Sequence, residues 1–266
     1  MSLLDQILQS TRRRVAETRE RADVRELERM AAQHVPRGFR RRLVEVASTG
    51  VAVIAELKKA SPSKGLIRAD FDPSPLADEL EAAGAAALSV LTDVEHFQGA
   101  LENLQLASAA TQIPCLRKDF IVDEFQLLEA RAYRADAVLL IVAALKQSEL
   151  ETLAEKARVA GLDVLCEVHD EEELKRAVDA GCDVIGVNNR NLKNFEVDLN
   201  TSLRLAELMP TSVLAVAESG IHSGADLAKL RAAGFSAFLI GESLMRAKSP
   251  GNALREIMEE AVLARS

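Results

Sequence analysis

Eight short apolar runs recur along this chain at nearly even intervals, beginning near Ala52, Ala86, Ile113, Ala137, Leu162, Asp183, Val213 and Ser236. Their mean spacing is about 26 residues, room for one buried strand and one covering helix. Eight such units predict a closed (β/α)8 barrel, an α/β fold of the TIM type. Helices are expected over residues 74–83, 103–110, 124–134, 147–160, 171–180, 201–209, 223–233 and 250–263. Four of them run into a glycine just ahead of a strand, at Gly84, Gly161, Gly181 and Gly234. Glycine there accepts the left-handed conformation that ends a helix and turns the chain back.

A barrel of this kind takes roughly 250 residues as one domain, so residues 1–266 are expected to form a single domain. Residues 1–48 precede the first strand and are expected as an N-terminal helical extension. Leu3, Leu4, Ile7, Leu8 and Val15 recur at mostly helical spacing within a helix expected over 2–29. Arg12, Arg13, Arg14 and Arg19 are expected to form its solvated side. Pro36 and Gly38 break that pattern, a second short helix is expected over 39–48, and the barrel starts at Val51.

Lys and Arg number 33 against 41 Asp and Glu, a net charge of −8 that opposes attraction to nucleic acid or anionic lipid. No run approaches the length of apolar residues that spans a bilayer, and the first residues lack the pattern of a secretory signal. Cys115, Cys166 and Cys182 fall in expected strands with no CxxC pair, which fits reduced, packed thiols and a cytoplasmic address. No nucleic-acid or membrane partner is expected, and the chain is expected to be a monomer.

Five of the strands end in charged or amide residues that a buried strand does not otherwise carry: Glu56-Leu-Lys58, Arg117-Lys118-Asp119, Glu167, Asn188-Asn189-Arg190 and Glu218-Ser219-Gly220. Barrel chemistry sits at strand ends. Side chains alternate along a strand, so Glu56 and Lys58 share a face that can point into the barrel mouth while Leu57 faces the helices. By the same parity Lys118 and Glu167 point inward if Arg117 and Cys166 point out. A purely structural network of four such charges carries a heavy desolvation cost. Two lysines beside two carboxylates instead shift one another's pKa values, which suits paired acid and base roles.

The seventh and eighth strand ends suggest phosphate. Gly220 and Gly241 leave backbone N–H groups bare, and the helix expected from Glu242 adds a positive dipole end. The Ser-, Pro-, Lys- and Gly-rich loop 59–73 is placed to close over a ligand. His34, His96, His169 and His222 show no metal-binding spacing and are expected as exposed loop residues, so no metal is expected. No GxGxxG or Walker A pattern occurs. These residues alone still allow a Schiff-base aldolase using Lys118, or a noncatalytic sensor of a phosphorylated ligand.

Taken together, Ile-Ala-Glu56-Leu-Lys58-Lys-Ala-Ser61-Pro-Ser63-Lys-Gly65, Leu-Arg-Lys118-Asp-Phe120-Ile, Glu167-Val-His, Ile-Gly-Val-Asn188-Asn-Arg190-Asn-Leu and Ala-Glu218-Ser219-Gly220-Ile resemble the indole-3-glycerol phosphate synthase family over essentially the whole chain. The resemblance implies ring closure, decarboxylation and dehydration of 1-(2-carboxyphenylamino)-1-deoxyribulose 5-phosphate in tryptophan biosynthesis, without a cofactor. It implies Lys118 as general acid for ring closure and Glu167 as the group that stabilises or deprotonates the cationic intermediate. Lys58 and Glu56 would serve the substrate carboxylate and the proton transfers of dehydration. Asn188, Arg190 and Ser219 would orient the substrate, with Glu218 beside them. Ser61, Gly220, Gly241 and Glu242 would hold the phosphate, and Phe97 and Phe120 would wall the anthranilate ring. Two departures stand out: Glu242 occupies a position where the family often has a small hydroxyl residue, and the N-terminal helix lacks a tryptophan found in some relatives.

Overall fold

The computed structural model describes residues 2–191 and 196–263. Three helices precede the barrel: α1 (Leu3–Arg21), α2 (Val24–Ala31) and α3 (Phe39–Thr49). Helix α1 starts at a capping box, in which Ser2 accepts from the Asp5 amide and Asp5 accepts from the Ser2 amide. The single helix expected over 2–29 is divided, because the Asp23 carboxylate accepts from the Glu26 amide and starts α2 afresh.

The eight barrel strands are β1 (Ala52–Leu57), β2 (Ala87–Leu91), β3 (Cys115–Lys118), β4 (Ala137–Ile141), β5 (Asp163–Val168), β6 (Val184–Asn188), β7 (Leu214–Glu218) and β8 (Ala237–Ile240). Ala52 and Ala137 start strands where expected, and Cys115, two residues past Ile113, is the largest offset. The strands pair in parallel around a closed ring, in which β1 meets both β8 (Ala52 opposite Ala237) and β2 (Leu57 opposite Val90). The connecting helices are α4 (Pro73–Ala82), α5 (Val94–Phe97), α6 (Leu101–Ala110), α7 (Phe125–Ala132), α8 (Gln147–Val159), α9 (Glu171–Asp179), α10 (Asn200–Ala206), α11 (Gly224–Ala232), α12 (Glu242–Arg246) and α13 (Pro250–Leu263). Gly84, Gly161, Gly181 and Gly234 have φ of 96°, 76°, 71° and 107°, the left-handed turn that the sequence pattern predicts.

Helix α3 packs across the start of the barrel on β1 and β2, with Phe39 and Leu43 fully buried. Beside it the Asp136 carboxylate, just before β4, accepts from the Arg37 guanidinium (2.6 Å), the Arg37 amide (2.7 Å) and the Cys115 amide (2.6 Å). His34 Nε2 lies 3.1 Å from the same carboxylate and is buried, which corrects its expected exposure: its ring completes the satisfaction of a buried anion. The cysteines are free and buried, but Cys182 lies between α9 and β6, not within a strand.

At the opposite end α1 lies against the barrel, burying Ile7, Thr11 and Val15. Its arginines are not uniformly solvated. The Arg14 guanidinium reaches Asp93 at 3.3 Å and Asp119 at 3.5 Å, both carboxylates being buried, while Arg12 and Arg19 stay about half exposed. Two buried acids needed a cation, and helix spacing delivers Arg14 to them. Loop 59–73 contains a short antiparallel pair, Ala60–Ser61 with Gly65–Leu66. Arg68 donates to the carbonyls of Met245 (3.3 Å) and Ala247 (3.0 Å), tying the loop to the segment after β8.

Candidate active site

A cavity of about 300 Å³ opens at the C-terminal ends of the strands. Every residue singled out as a site candidate lines it: Glu56, Lys58, Ser61, Phe97, Lys118, Phe120, Glu167, Asn188, Arg190, Glu218, Ser219, Gly220, Gly241 and Glu242. Strand register brings them to one level, since Leu91 lies opposite Lys118, Ile141 opposite Glu167, and Asn188 opposite Glu218. Inward parity holds for the basic pair: Arg117 points away from the mouth and donates to the Gln126 carbonyl (2.7 Å) and Glu129 (3.2 Å).

Lys118 sits at the centre of the charges. Its Nζ is 3.4 Å from Glu167 Oε2 and 3.5 Å from Glu218 Oε2, and Lys58 Nζ donates to Glu56 Oε1 at 2.6 Å. Burial works to strip the proton from Lys118, but the Glu167, Glu218 and Glu56 carboxylates outweigh it and hold the pKa above the usual ammonium value. That keeps the amine in the donor form and disfavours it as a Schiff-base nucleophile. Burial likewise works to raise Glu56 and Glu167. The Lys58 and Lys118 ammonium groups hold Glu56 low, while Lys118 and His169 hold Glu167 at about 2. Glu218 goes the other way, because burial dominates and the neighbouring carboxylates add to it, pushing its pKa up to about 8. Among the described residues neither Glu218 oxygen has a hydrogen-bond partner.

Room for these side chains is cut by glycines. A Cβ at Gly186, in mid-strand β6, would stand 2.0 Å from Glu218 Oε1. One at Gly241 would stand 2.4 Å from Glu56 Oε1 and 2.9 Å from Glu56 Cβ. Gly241 is therefore required by the packing of Glu56, and a bulky residue there would displace that carboxylate before it met any anion. Ser219 (φ 65°) and Gly220 (φ 80°) both take left-handed backbone after β7. For Ser219 this conformation costs roughly 1–2 kcal/mol, strain of the kind found at functional sites.

The Glu242 carboxylate turns to Arg190 (3.6 Å) and Arg246 (3.1 Å). The Asn188 Oδ1 accepts from the Arg190 amide at 3.0 Å, which fixes the turn after β6; Leu192 of that motif lies outside the described residues. Phe97 and Phe120 face each other with ring centroids 6.4 Å apart and planes tilted by 41°, forming an apolar wall with Leu3, Leu4 and Ile7 of α1. The helix thus supplies aliphatic surface to that wall.

Residues 4–257 match the family model described as indole-3-glycerol phosphate synthase. The chain belongs to the indole-3-glycerol phosphate synthase family. A protein of that name from Koribacter versatilis (strain Ellin345) is 65% identical over 257 residues, 97% of this chain and 99% of the relative. One from Chlorobium chlorochromatii (strain CaD3) is 48% identical over 245 residues, 92% of this chain and 95% of the relative. The chain is accordingly an enzyme of the carboxy-lyase class, a synthase of tryptophan biosynthesis. Among solved structures, thiamine phosphate pyrophosphorylase from Pyrococcus furiosus superposes with a TM-score of 0.61 at 17% identity, over 83% of this chain and all of that one. That likeness shows the barrel alone.

Within the synthase site, residue-by-residue reading of the sequence passed over several groups. His169, expected to be an exposed loop residue, is largely buried with Nε2 3.4 Å from Glu167 Oε1. Its position two residues beyond Glu167, on the same strand parity, was the available signal. Asp93, Asp119 and Ser243 also line the cavity. Gly186 carried a signal as a lone glycine inside a strand, which marks close approach of another group. Arg14 carried none beyond its charge. Among the described residues no cluster of His, Cys, Asp and Glu is arranged to hold a metal ion, and no helix is long and apolar enough to cross a membrane.

Proposed function

We propose that this mouth binds 1-(2-carboxyphenylamino)-1-deoxyribulose 5-phosphate and releases indole-3-glycerol phosphate, carbon dioxide and water. The observation that carries the reading is Lys118, a buried ammonium held between Glu167 and Glu218 beside an aromatic wall. The aryl carbon bearing the carboxylate attacks the ketose carbonyl carbon while Lys118 gives its proton to the carbonyl oxygen. Glu167, a carboxylate at neutral pH, faces the positive charge this attack leaves on the aryl amine. Loss of carbon dioxide restores the aromatic ring. The new hydroxyl then leaves as water, with Lys58 and Glu56 handling the proton given to it and the proton lost as the second ring becomes an indole.

Phe97 and Phe120 hold the anthranilate ring, and Asn188, Arg190, Ser219 and Glu218 orient the linker and ribulose hydroxyls. The phosphate lies toward Ser61, Gly220 and the start of α12, where Gly241 and Glu242 present backbone N–H groups. The enzyme works as a cytoplasmic single-domain monomer on a small molecule, with no role for nucleic acid. Incubating the purified chain with the carboxyphenylamino-deoxyribulose phosphate and following indole fluorescence tests the reading; no product across pH and salt would reject it.

A further inference from the structure

The end of β5 carries an arrangement that the reaction scheme above does not use. Glu167 points inward as the penultimate residue of its strand, His169 follows two residues later, and Asp170 caps α9 by accepting from the Glu173 amide at 2.9 Å. That cap turns the Glu173 carboxylate back onto His169. Its Oε2 accepts from the His169 amide at 2.8 Å and lies 2.9 Å from His169 Nδ1. Backbone and ring of one residue are thus clamped by one carboxylate oxygen. The ring's other nitrogen, Nε2, is buried and, among the described residues, lacks a partner at hydrogen-bond geometry; the carboxylate of Glu167 stands before it at 3.4 Å.

We propose that His169, clamped by Glu173, is a positioning residue for Glu167: its imidazolium fixes the aim of that carboxylate and keeps it an anion throughout turnover. The inference rests on the role given to Glu167 above. The physical need arises in the middle of the reaction. At rest Glu167 Oε2 has the Lys118 ammonium at 3.4 Å, and this charge sustains its ionisation. When Lys118 hands its proton to the substrate oxygen, that cation disappears just as Glu167 must face a positive intermediate. A second cation on the other carboxylate oxygen, one that takes no part in the proton transfer, prevents Glu167 from being neutralised.

The charges around the pair fit this division. Lys118 from β3 and Asn188 from β6 favour the Glu167 carboxylate, Glu167 in turn raises Glu56 from β1 and Glu218 from β7, Glu167 and Glu173 act on His169, and His169 lowers Glu218. Burial works against protonation of the ring, and the two carboxylates flanking it outweigh burial, pushing its pKa up to about 10. Both ring nitrogens therefore carry hydrogen at neutral pH, and both point at carboxylates. A histidine serving only to hold the start of α9 in place would need just the Glu173 contact and would leave Nε2 to solvent.

The test compares His169→Ala, His169→Gln, Glu173→Gln and Glu167→Gln by steady-state kinetics from pH 3 to 9, with circular dichroism at each pH and melting curves for each variant. His169→Ala is expected to lower kcat about 10- to 100-fold with KM changed less than about threefold, as loss of outer-shell support does. Its acidic limb should move up by about one pH unit or more. His169→Gln, a neutral donor on a side chain of similar reach, should recover much of kcat but keep the shifted limb. Glu173→Gln should move the limb in the same direction by less. In a Glu167→Gln background His169→Ala should add little.

An unshifted limb in both His169→Ala and Glu173→Gln overturns the inference. So does a full additive loss in the Glu167→Gln background. If His169→Ala fails to fold, Glu173→Gln decides alone. Full activity of Glu167→Gln removes Glu167 from the reaction and sinks the scheme above, whereas an inactive Glu167→Gln beside a wild-type His169→Ala sinks this inference only.

Discussion

Lys118 shows how a single side chain is made into a proton donor by its surroundings. Burial alone would neutralise it, and the Glu167 carboxylate at 3.4 Å, with the charge of Glu56 added, decides otherwise. Lys118→Ala should lower kcat by about 10²- to 10⁴-fold with the fold retained by circular dichroism, since no core volume is removed. Lys118→Arg should fail as well, because a guanidinium does not release its proton near neutral pH. Glu218 leads to a pH prediction. With its pKa raised to about 8, it is mostly neutral at pH 7 and becomes a second full charge beside Lys118 as pH rises. The added anion binds the ammonium proton more tightly, so kcat should fall as pH rises through about 8. Glu218→Gln should flatten that limb; a limb that persists unchanged in the variant assigns it to another group.

At the scale of elements, two ion-pair clusters fasten the N-terminal helices to opposite ends of the barrel. Arg14 joins α1 to Asp93 and Asp119, and α1 carries Leu3, Leu4 and Ile7 into the cavity wall. Arg14→Ala leaves buried carboxylates short of a partner and should cost about 1–3 kcal/mol. Its kinetic signature should be a raised KM for the substrate with a smaller change in kcat, because the aryl wall loosens while Lys118 and Glu167 stay in place. At the other end Asp136 gathers Arg37, His34 and the Cys115 amide, and Asp136→Asn should destabilise by about 3–5 kcal/mol in urea titrations at pH 7. Burial works to raise this carboxyl, and the His34 and Arg37 hydrogen bonds outweigh it and depress the pKa. A depressed carboxyl contributes stability that is present above the unfolded value of 3.8 and lost as pH falls through the folded one. The difference in stability between wild type and Asp136→Asn should therefore be constant from pH 7 to about 5 and shrink below about pH 4.

At the scale of the molecule, the closed ring leaves none of its eight strands with an open edge for pairing with another chain. The net charge of −8 adds mutual repulsion between copies. Sedimentation is expected to return the mass of one chain, 28.8 kDa, at micromolar concentration; a dimer mass that survives dilution would contradict this.

The spacing of apolar runs determined the barrel, because eight buried parallel strands alternating with helices have few other ways to close. Strand parity likewise determined which of Glu56, Leu57 and Lys58, or of Arg117 and Lys118, could face the mouth, since side chains alternate whatever the surroundings. Glycines at 84, 161, 181 and 234 announced their turns because left-handed backbone is a property of the residue itself. What a pattern along the chain could not contain was the meeting of residues distant in sequence. The pairing of Arg14 with Asp93 and Asp119, the burial of His34 against Asp136, and the demand of Glu56 for a glycine at 241 arise only when separate elements close on one another. The same holds for charge: the sequence shows four carboxylates and two lysines near the mouth, but which carboxyl keeps its proton depends on distance and burial, and those belong to the folded barrel alone.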